Sequence, residues 1–393
     1  MSPDARRHKG VMPFVLCSFV TAAMLAGCAP SSAPANNSPR TELGISDDDF
    51  DLDALIAAAK KEGPITVYDV TGKIVDTAKN FTAAYGITAT GVKAKANEQQ
   101  EIMTREAQSG NVKGDVFFMT DAPAVSGDLL AQGIAVNWFP PDLTDDVPAR
   151  YQSPTAVSNE VDAWTYNTES YGDTCPVDNM WALTTAEWRS RVAISDPLLR
   201  ADFLYWVNQM QEHADDELAA AYADYFGKPL DPEEGTATAQ WLRGLGENDP
   251  IVKQSGGDVA EAIGAPGQAA APVGLVSTAE YRDNADSGYH LALCTGMTPW
   301  LGRSYAKVGV IASGTEHPNA AKLFIHYLLT QDGISPQLAD GKISTNEKVA
   351  PSADEPSGIA DDLDSVFEPV PETAADDLDS LADWQDFWTV SSR

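Results

Sequence analysis

Basic residues are scarce in this chain: 26 Lys and Arg stand against 58 Asp and Glu among 393 residues, for a formal net charge of −32. Binding a phosphate backbone needs a concentrated cationic surface, so the balance argues against a nucleic-acid partner. Any anionic ligand needs a local basic pocket set against the global field. Histidine and cysteine are also sparse, at five and four residues. Neither Cys175 nor Cys294 has a CxxC partner, so a zinc-type metal site is not expected. Neither GxSxG, HExxH nor a Cys–His spacing is present, which leaves a hydrolase without a nucleophile and base. What is abundant is core material: 43% of residues are hydrophobic, over a length sufficient for two lobes that each bury a core.

A long apolar run is missing as well. Val11 to Leu25 is too short for a comfortable membrane span, and Arg6, Arg7 and Lys9 precede it as a positive n-region, so residues 1–27 read as a secretion signal. The run ends in Leu25-Ala26-Gly27-Cys28, which resembles the lipobox of bacterial lipoproteins and implies lipidation of Cys28 and an extracytoplasmic, membrane-anchored protein. Cys17 leaves with the signal. Cys175 and Cys294 then remain as a pair in an oxidising compartment, where a structural disulfide is favoured over two free thiols.

Residues 28–45 are rich in Pro, Ser, Ala and Asn and read as a flexible tether. After it, DDDFDLDALIAAAKKEG carries helix start and stop signals, and ITVYDV alternates as a strand. Helices are expected in KIVDTAKNFTAAYG and EQQEIMTREAQSG, and strands in ITATGVKA and the nearly all-apolar GDVFFMT. Such alternation predicts an α/β lobe with a mostly parallel sheet. A second block follows the Pro-rich connection FPPDLTDDVPARYQSP. It holds the strand WRSRVAISDP, an aromatic helix from Ala201 broken near His213, the helix GDVAEAIGA and the strand APVGLVS. YAKVGVIAS and HPNAAKLFIHYLLT add a strand and a helix. The last 43 residues hold 12 Asp and Glu and one Arg, with ADDLDS at both Ala360 and Ala375. They lack the alternating oxygen ligands and Gly of a calcium loop, and DDLDSLADWQDFW has helical apolar spacing, so the acids read as helix N-terminal residues.

Three turns after strands offer backbone N–H groups for a ligand. Thr71-Gly72-Lys73 fails as a nucleotide P-loop, because Val67 stands where Gly is needed and Ile74 where Ser or Thr is needed. It is either one wall of a binding site or a plain turn with an exposed Lys. In SDPLLRAD, Arg200 could grip a carboxylate or phosphate, or else pair with Asp202 or a tail acid. Ser255-Gly256 opens a helix and lies in the same block as Ser277, Thr278 and Tyr281, which follow PVGLV.

The order and spacing of LIAAAKKEGPITVYDV, GDVFFMTDAPAV, WTYNTESYG, WRSRVAISDP and VGVIASGTEHPNAAKLFIHYLLT resemble the ferric-iron-binding-protein-like group of bacterial extracytoplasmic solute-binding proteins. The resemblance covers roughly residues 50–390. It implies the two-lobed type II periplasmic-binding-protein fold, α/β, each lobe a mixed, mostly parallel sheet flanked by helices. The first lobe would take 46–160 and 303–350, the second lobe 161–302, and an acidic linker and helix 351–393. The implied role is that of a monomeric, non-enzymatic receptor without a cofactor, which captures a small-molecule solute in the interlobe cleft and delivers it to ABC transporter permease subunits.

Iron-binding members carry two adjacent tyrosines after the PVGLV-like strand. Here Ala279 and Glu280 hold those positions, with Tyr281 displaced. Gly72 and Lys73 stand where His or Tyr is often found, and a cation there opposes Fe(III). Tyr166 and Glu98 remain as possible oxygen ligands, too few for a ferric site. Lys73, Arg200, the hydroxyls and the helix N-termini therefore point to a polar, anionic organic solute, and Asp121 in GDVFFMTDAPAV is a further candidate contact. The alternatives are ferric iron held with a synergistic anion, and a structural or adhesive surface lipoprotein.

Overall fold

The computed structural model describes residues 43–393 except 232 and 234. The signal segment, Cys28 and most of the tether lie outside the described residues. No described helix is long and apolar enough to cross a membrane.

Among the described residues, twelve strands form one mixed sheet: β1 (Ile65–Asp69), β2 (Ala89–Lys93), β3 (Val116–Met119), β4 (Ala135–Val136), β5 (Ala156–Asn167), β6 (Val192–Ser195), β7 (Ile251–Lys253), β8 (Val273–Ser277), β9 (Leu291–Leu293), β10 (Gly302–Ala312), β11 (Ile343–Ser344) and β12 (Val366–Phe367). Its main order is β2-β1-β3-β10-β5-β8-β6-β7. Within each half the strands run parallel, β1 with β2 and β3, and β6 with β7 and β8. Between the halves, the long strands β5 and β10 pair antiparallel with each other. Their length reflects their task, since each runs from one half into the other. The proposed lobe boundaries at 160/161 and 302/303 fall inside β5 and at the start of β10.

Two large hydrophobic cores flank this ribbon. One gathers Leu55, Ile74, Phe81, Phe117, Phe118 and Phe324 around the first half. The other gathers Trp164, Trp181, Trp206, Trp241, Trp300 and Trp388 around the second. The helix start and stop signals located the flanking helices after the tether and after β1 and β2. Ile74–Tyr85 stops at Gly86, whose φ of 72° closes the helix in the left-handed conformation that glycine tolerates. The aromatic helix Ala201–His213 breaks at Ala214 before Asp215–Phe226, as its sequence indicates. Cys175 and Cys294 form the expected disulfide.

The two copies of ADDLDS diverge. The second opens the helix Ala374–Ser391, which buries Trp384 and Trp388 against the second core. The first folds into short 3-10 turns, because the chain then enters β12 and pairs with β10 instead of continuing with apolar residues at helical spacing.

Backbone approach is tight where the ribbon begins. A Cβ on Gly302 would lie 2.1 Å from the Asp162 carbonyl oxygen, a clash with backbone that no rotamer relieves. Gly302→Ala is therefore expected to lower stability by about 1–3 kcal/mol in urea denaturation, with the loss read as a lower midpoint at unchanged slope.

Candidate functional site

Alternation along β5 and β10 puts a row of polar side chains on one face of the ribbon. Arg303 lies opposite Asp162, Tyr305 opposite Glu160, and Lys307 opposite Ser158. Side chains two apart on a strand share a face, so Arg303, Tyr305 and Lys307 form one continuous strip with their partners. All are buried or nearly so, and burial of charge is tolerable only with close partners.

The partners are present. Lys307 Nζ sits 2.9 Å from Asp69 Oδ1 and 3.1 Å from Glu160 Oε1, and donates to Gln337 Oε1 at 3.0 Å. Lys342 donates to Glu160. Burial disfavours the Glu160 carboxylate, but Lys342 and Lys307 outweigh it and hold its pKa far below the usual range. Burial likewise opposes the Lys307 ammonium, which Asp69 and Glu160 keep protonated above its ordinary value. At the other end Arg303 Nη2 sits 2.7 Å from Asp162 Oδ2 and also pairs with Asp202. Arg200 Nη2 lies 2.5 Å from Asp202 Oδ2 and 3.5 Å from Asp162 Oδ2. The strip is thus a chain of alternating charges running from the first half to the second.

The sequence-derived ligand residues surround it unevenly. Thr71-Gly72-Lys73 follows β1 at one end: the Thr71 N–H donates to Asp69 Oδ1, and Lys73 lies 3.4 Å from Asp340 with its side chain 39% exposed. Arg200 ends the turn after β6 at the other end. Of the two roles considered for it, pairing with Asp202 is the one observed. Behind it a cavity of only about 10 Å³ remains, room for a single water. Thr278 is buried between the halves, with its Oγ1 3.2 Å from where a Cβ on Gly341 would stand. Asp121 follows β3, accepts the Ala124 N–H at 3.0 Å, and has its pKa raised chiefly by burial.

The third turn is occupied by the chain itself. A Cβ on Gly256 would lie 3.7 Å from Glu280 Oε1, and one on Gly257 3.9 Å from Oε2. The Glu280 carboxylate therefore covers the start of the helix Gly256–Gly264, where N–H groups attract an anion. Burial raises its pKa, against the opposing effect of Arg282 at 3.0 Å. Ser255 caps that helix by accepting the Asp258 N–H and donates to the Asp258 carboxylate, and Ser277 similarly accepts from Ala279.

Three residues stand away from the strip. Glu98 is an exposed cap on the helix Ala96–Ser109, where its carboxylate accepts the Lys95 N–H at 2.9 Å. Tyr166 is buried in the second core. Tyr281 is buried in a smaller core with Val259 and Ile263, its hydroxyl 2.8 Å from Thr165 Oγ1. One residue of displacement from the tyrosine positions turns its ring inward.

Sequence reading missed Glu160, Asp162, Arg303, Tyr305, Lys307 and Lys342. The available signal was charge at every second position in SNEVDAW and GRSYAKVGV, a pattern unusual for strands destined to be buried on both faces. Lys307→Met should cost about 3–5 kcal/mol, because Asp69 and Glu160 lose their shared cation inside the protein. The pH dependence follows from the depressed Glu160: the unfolded chain binds its proton more readily, so the stability it contributes is complete above about pH 5 and falls as the pH drops. In Lys307→Met the Glu160 carboxyl is less depressed, so that acid-side loss should be smaller and should be complete at a higher pH, as read from urea midpoints across the titration.

The residue match and the fold agree on a family. Residues 66–339, more than half of the chain, match the model of the bacterial extracellular solute-binding proteins. No curated protein matches at the sequence level. Among solved structures, the fold is similar to iron-bound HitA from Pseudomonas aeruginosa, with a TM-score of 0.65, 15% identity, and coverage of 83% of this chain and 99% of that one. It is similar to the FutA protein of Trichodesmium in complex with iron and citrate, at 0.62, 14%, 84% and 99%. A third is the substrate-binding protein of an ABC transporter from Agrobacterium tumefaciens, at 0.63, 13%, 86% and 97%. At these identities the likeness is one of fold, the two-lobed periplasmic-binding-protein architecture. By its match over residues 66–339, the chain belongs to the bacterial extracellular solute-binding protein family.

Proposed function

We propose that this protein is the extracytoplasmic, lipid-anchored receptor of an ABC importer and that it captures a small polar solute carrying an anionic group between its lobes. The observation that carries the reading is the charged strip on the β5–β10 ribbon, flanked by Lys73 from one half and Arg200 from the other. Each of these cations holds an acid of the chain itself, Asp340 or Asp202. A ligand carboxylate or phosphate entering the cleft competes for the same donors, which gives selectivity for anions that exceed the internal acid in charge or geometry. Lipidation at Cys28 would keep the receptor near its permease.

Ferric iron held with a synergistic anion is the second reading, favoured by the iron-bound state of the structural neighbours from Pseudomonas and Trichodesmium. Against it stand Lys73 at the first loop and, at the tyrosine positions, Ala279 and a Glu280 already paired with Arg282.

Native mass spectrometry of the mature protein as purified should reveal a trapped organic solute; a mass gain equal to iron would select the second reading. With that solute, Lys73→Ala should weaken binding by about 1–3 kcal/mol in calorimetry, and unchanged affinity would remove Lys73 from the site. Cys28→Ser should shift the protein from the membrane fraction to the soluble extracytoplasmic fraction on fractionation.

A further inference from the structure

Between the two halves the sheet narrows to the β5–β10 ribbon. On its outer edge β10 pairs with β12 at Gly302 and Arg303 and with β3 over residues 308–311, and residues 304–307 have no strand on that side among the described residues. Two strands alone twist and bend more readily than a wide sheet, so a joint of this width leaves the angle between the halves loosely set.

The C-terminal segment provides a further connection, and it lies beyond the stretch 66–339 that matches the family. On the second half it is well anchored. Trp384 and Trp388 of the helix Ala374–Ser391 are buried in the second core, Trp384 donates to Asn208 Oδ1 at 3.1 Å, and Asp377 accepts from Asn208 and Gln209 at 2.8 Å each. The same helix also packs on Ala122–Ala124 and on the turn Val125–Leu130, whose Val125 and Leu129 belong to the first core. The approach is closest at Gly127, where a Cβ would stand 3.0 Å from Leu378 Cδ2 and 4.0 Å from the Ala375 Cα. The missing side chain at Gly127 is what lets the helix lie there. Just after β12, the Glu368 carboxylate is 3.0 Å from Arg150 Nη2 and accepts from the Tyr151 hydroxyl at 3.2 Å, and Tyr151 is part of the first core.

The two attachments differ in strength. Buried Trp rings carry a large apolar area each. The contacts to the first half are lighter: Leu378 is only half-buried, and an ion pair whose side chains are both about half exposed contributes little. The first-half contacts are therefore the ones that break first.

We propose that residues 366–391 are an interlobe strap, fixed on the second half and clipped to the first by Leu378 on Gly127 and by Glu368 on Arg150 and Tyr151. Clipped, the strap restrains how far and how often the halves part; unclipped, it rides with the second half. The population of parted halves, and with it the fraction of molecules able to admit a solute, is then set by the strap as well as by the ribbon.

The test uses the mature chain, residues 28–393 with Cys28→Ser, and no solute. Spin labels are placed at Lys79→Cys in the helix Ile74–Tyr85 and at Glu217→Cys in the helix Asp215–Phe226, both exposed, while Cys175 and Cys294 are bonded to each other and take no label. The distance between the labels is read by pulsed electron paramagnetic resonance. Leu378→Ala with Glu368→Ala removes both clips and leaves Trp384 and Trp388 in place. Relative to the parent it should broaden the distribution roughly twofold or add a longer-distance population, and Leu378→Ala alone should do so to a smaller extent. Val390→Ala, on the same helix at a position 70% exposed, should match the parent. An unchanged distribution in the double variant, or equal broadening in Val390→Ala, overturns the strap. Failure there leaves the receptor reading standing, whereas a wide solute screen with no thermal shift rejects that reading and leaves the strap untouched.

Discussion

The arrangement depends on burying charge along the β5–β10 ribbon. Lys307 is completely buried, and it is stable there only because Asp69 arrives from β1 and Glu160 from β5. Removing an ion pair of this kind to leave one partner alone costs far more than the pair contributes. The loops that bring the acids are therefore held to their places. Asp69 also accepts from Gln337 and from the Thr71 backbone, so the first ligand loop is tied to the centre of the molecule through one carboxylate.

The same electrostatics shape the walls around the strip. In a protein of net charge −32, every cation near the centre finds an acid of its own chain before any ligand arrives. Lys73 has Asp340, Arg200 and Arg303 share Asp202 and Asp162, and the helix start at Gly256 has Glu280. Places that look like empty anion sites in the sequence are self-occupied in the fold.

Much of the framework was legible before any coordinates, because it rests on local patterns. The helices after β1 and β2, the break at Ala214 and the stop at Gly86 follow from periodicity, charge bias and glycine. The strip was not legible, because its residues lie far apart: Asp69, Glu160, Arg303, Lys307 and Lys342 meet only through strand register. Tyr281 shows the same limit from the other side. A tyrosine one position away from a ligand position reads as a near match, yet in the 3-10 helix Thr278–Arg282 a shift of one residue turns the side chain by about 120°, here into a core. The repeated ADDLDS is a third instance, since identical residues became turns in one place and a helix in the other according to what followed them.

By itself the sequence determined the chain's α/β character and the pairing of Cys175 with Cys294, since these depend on short-range pattern or on the elimination of other partners. Tertiary structure alone decided which charges face each other and which acids of the chain each cation holds. Those outcomes are set by the register of β5 against β10 and by the packing of the C-terminal helix. Both join residues more than a hundred positions apart, beyond what any local pattern encodes.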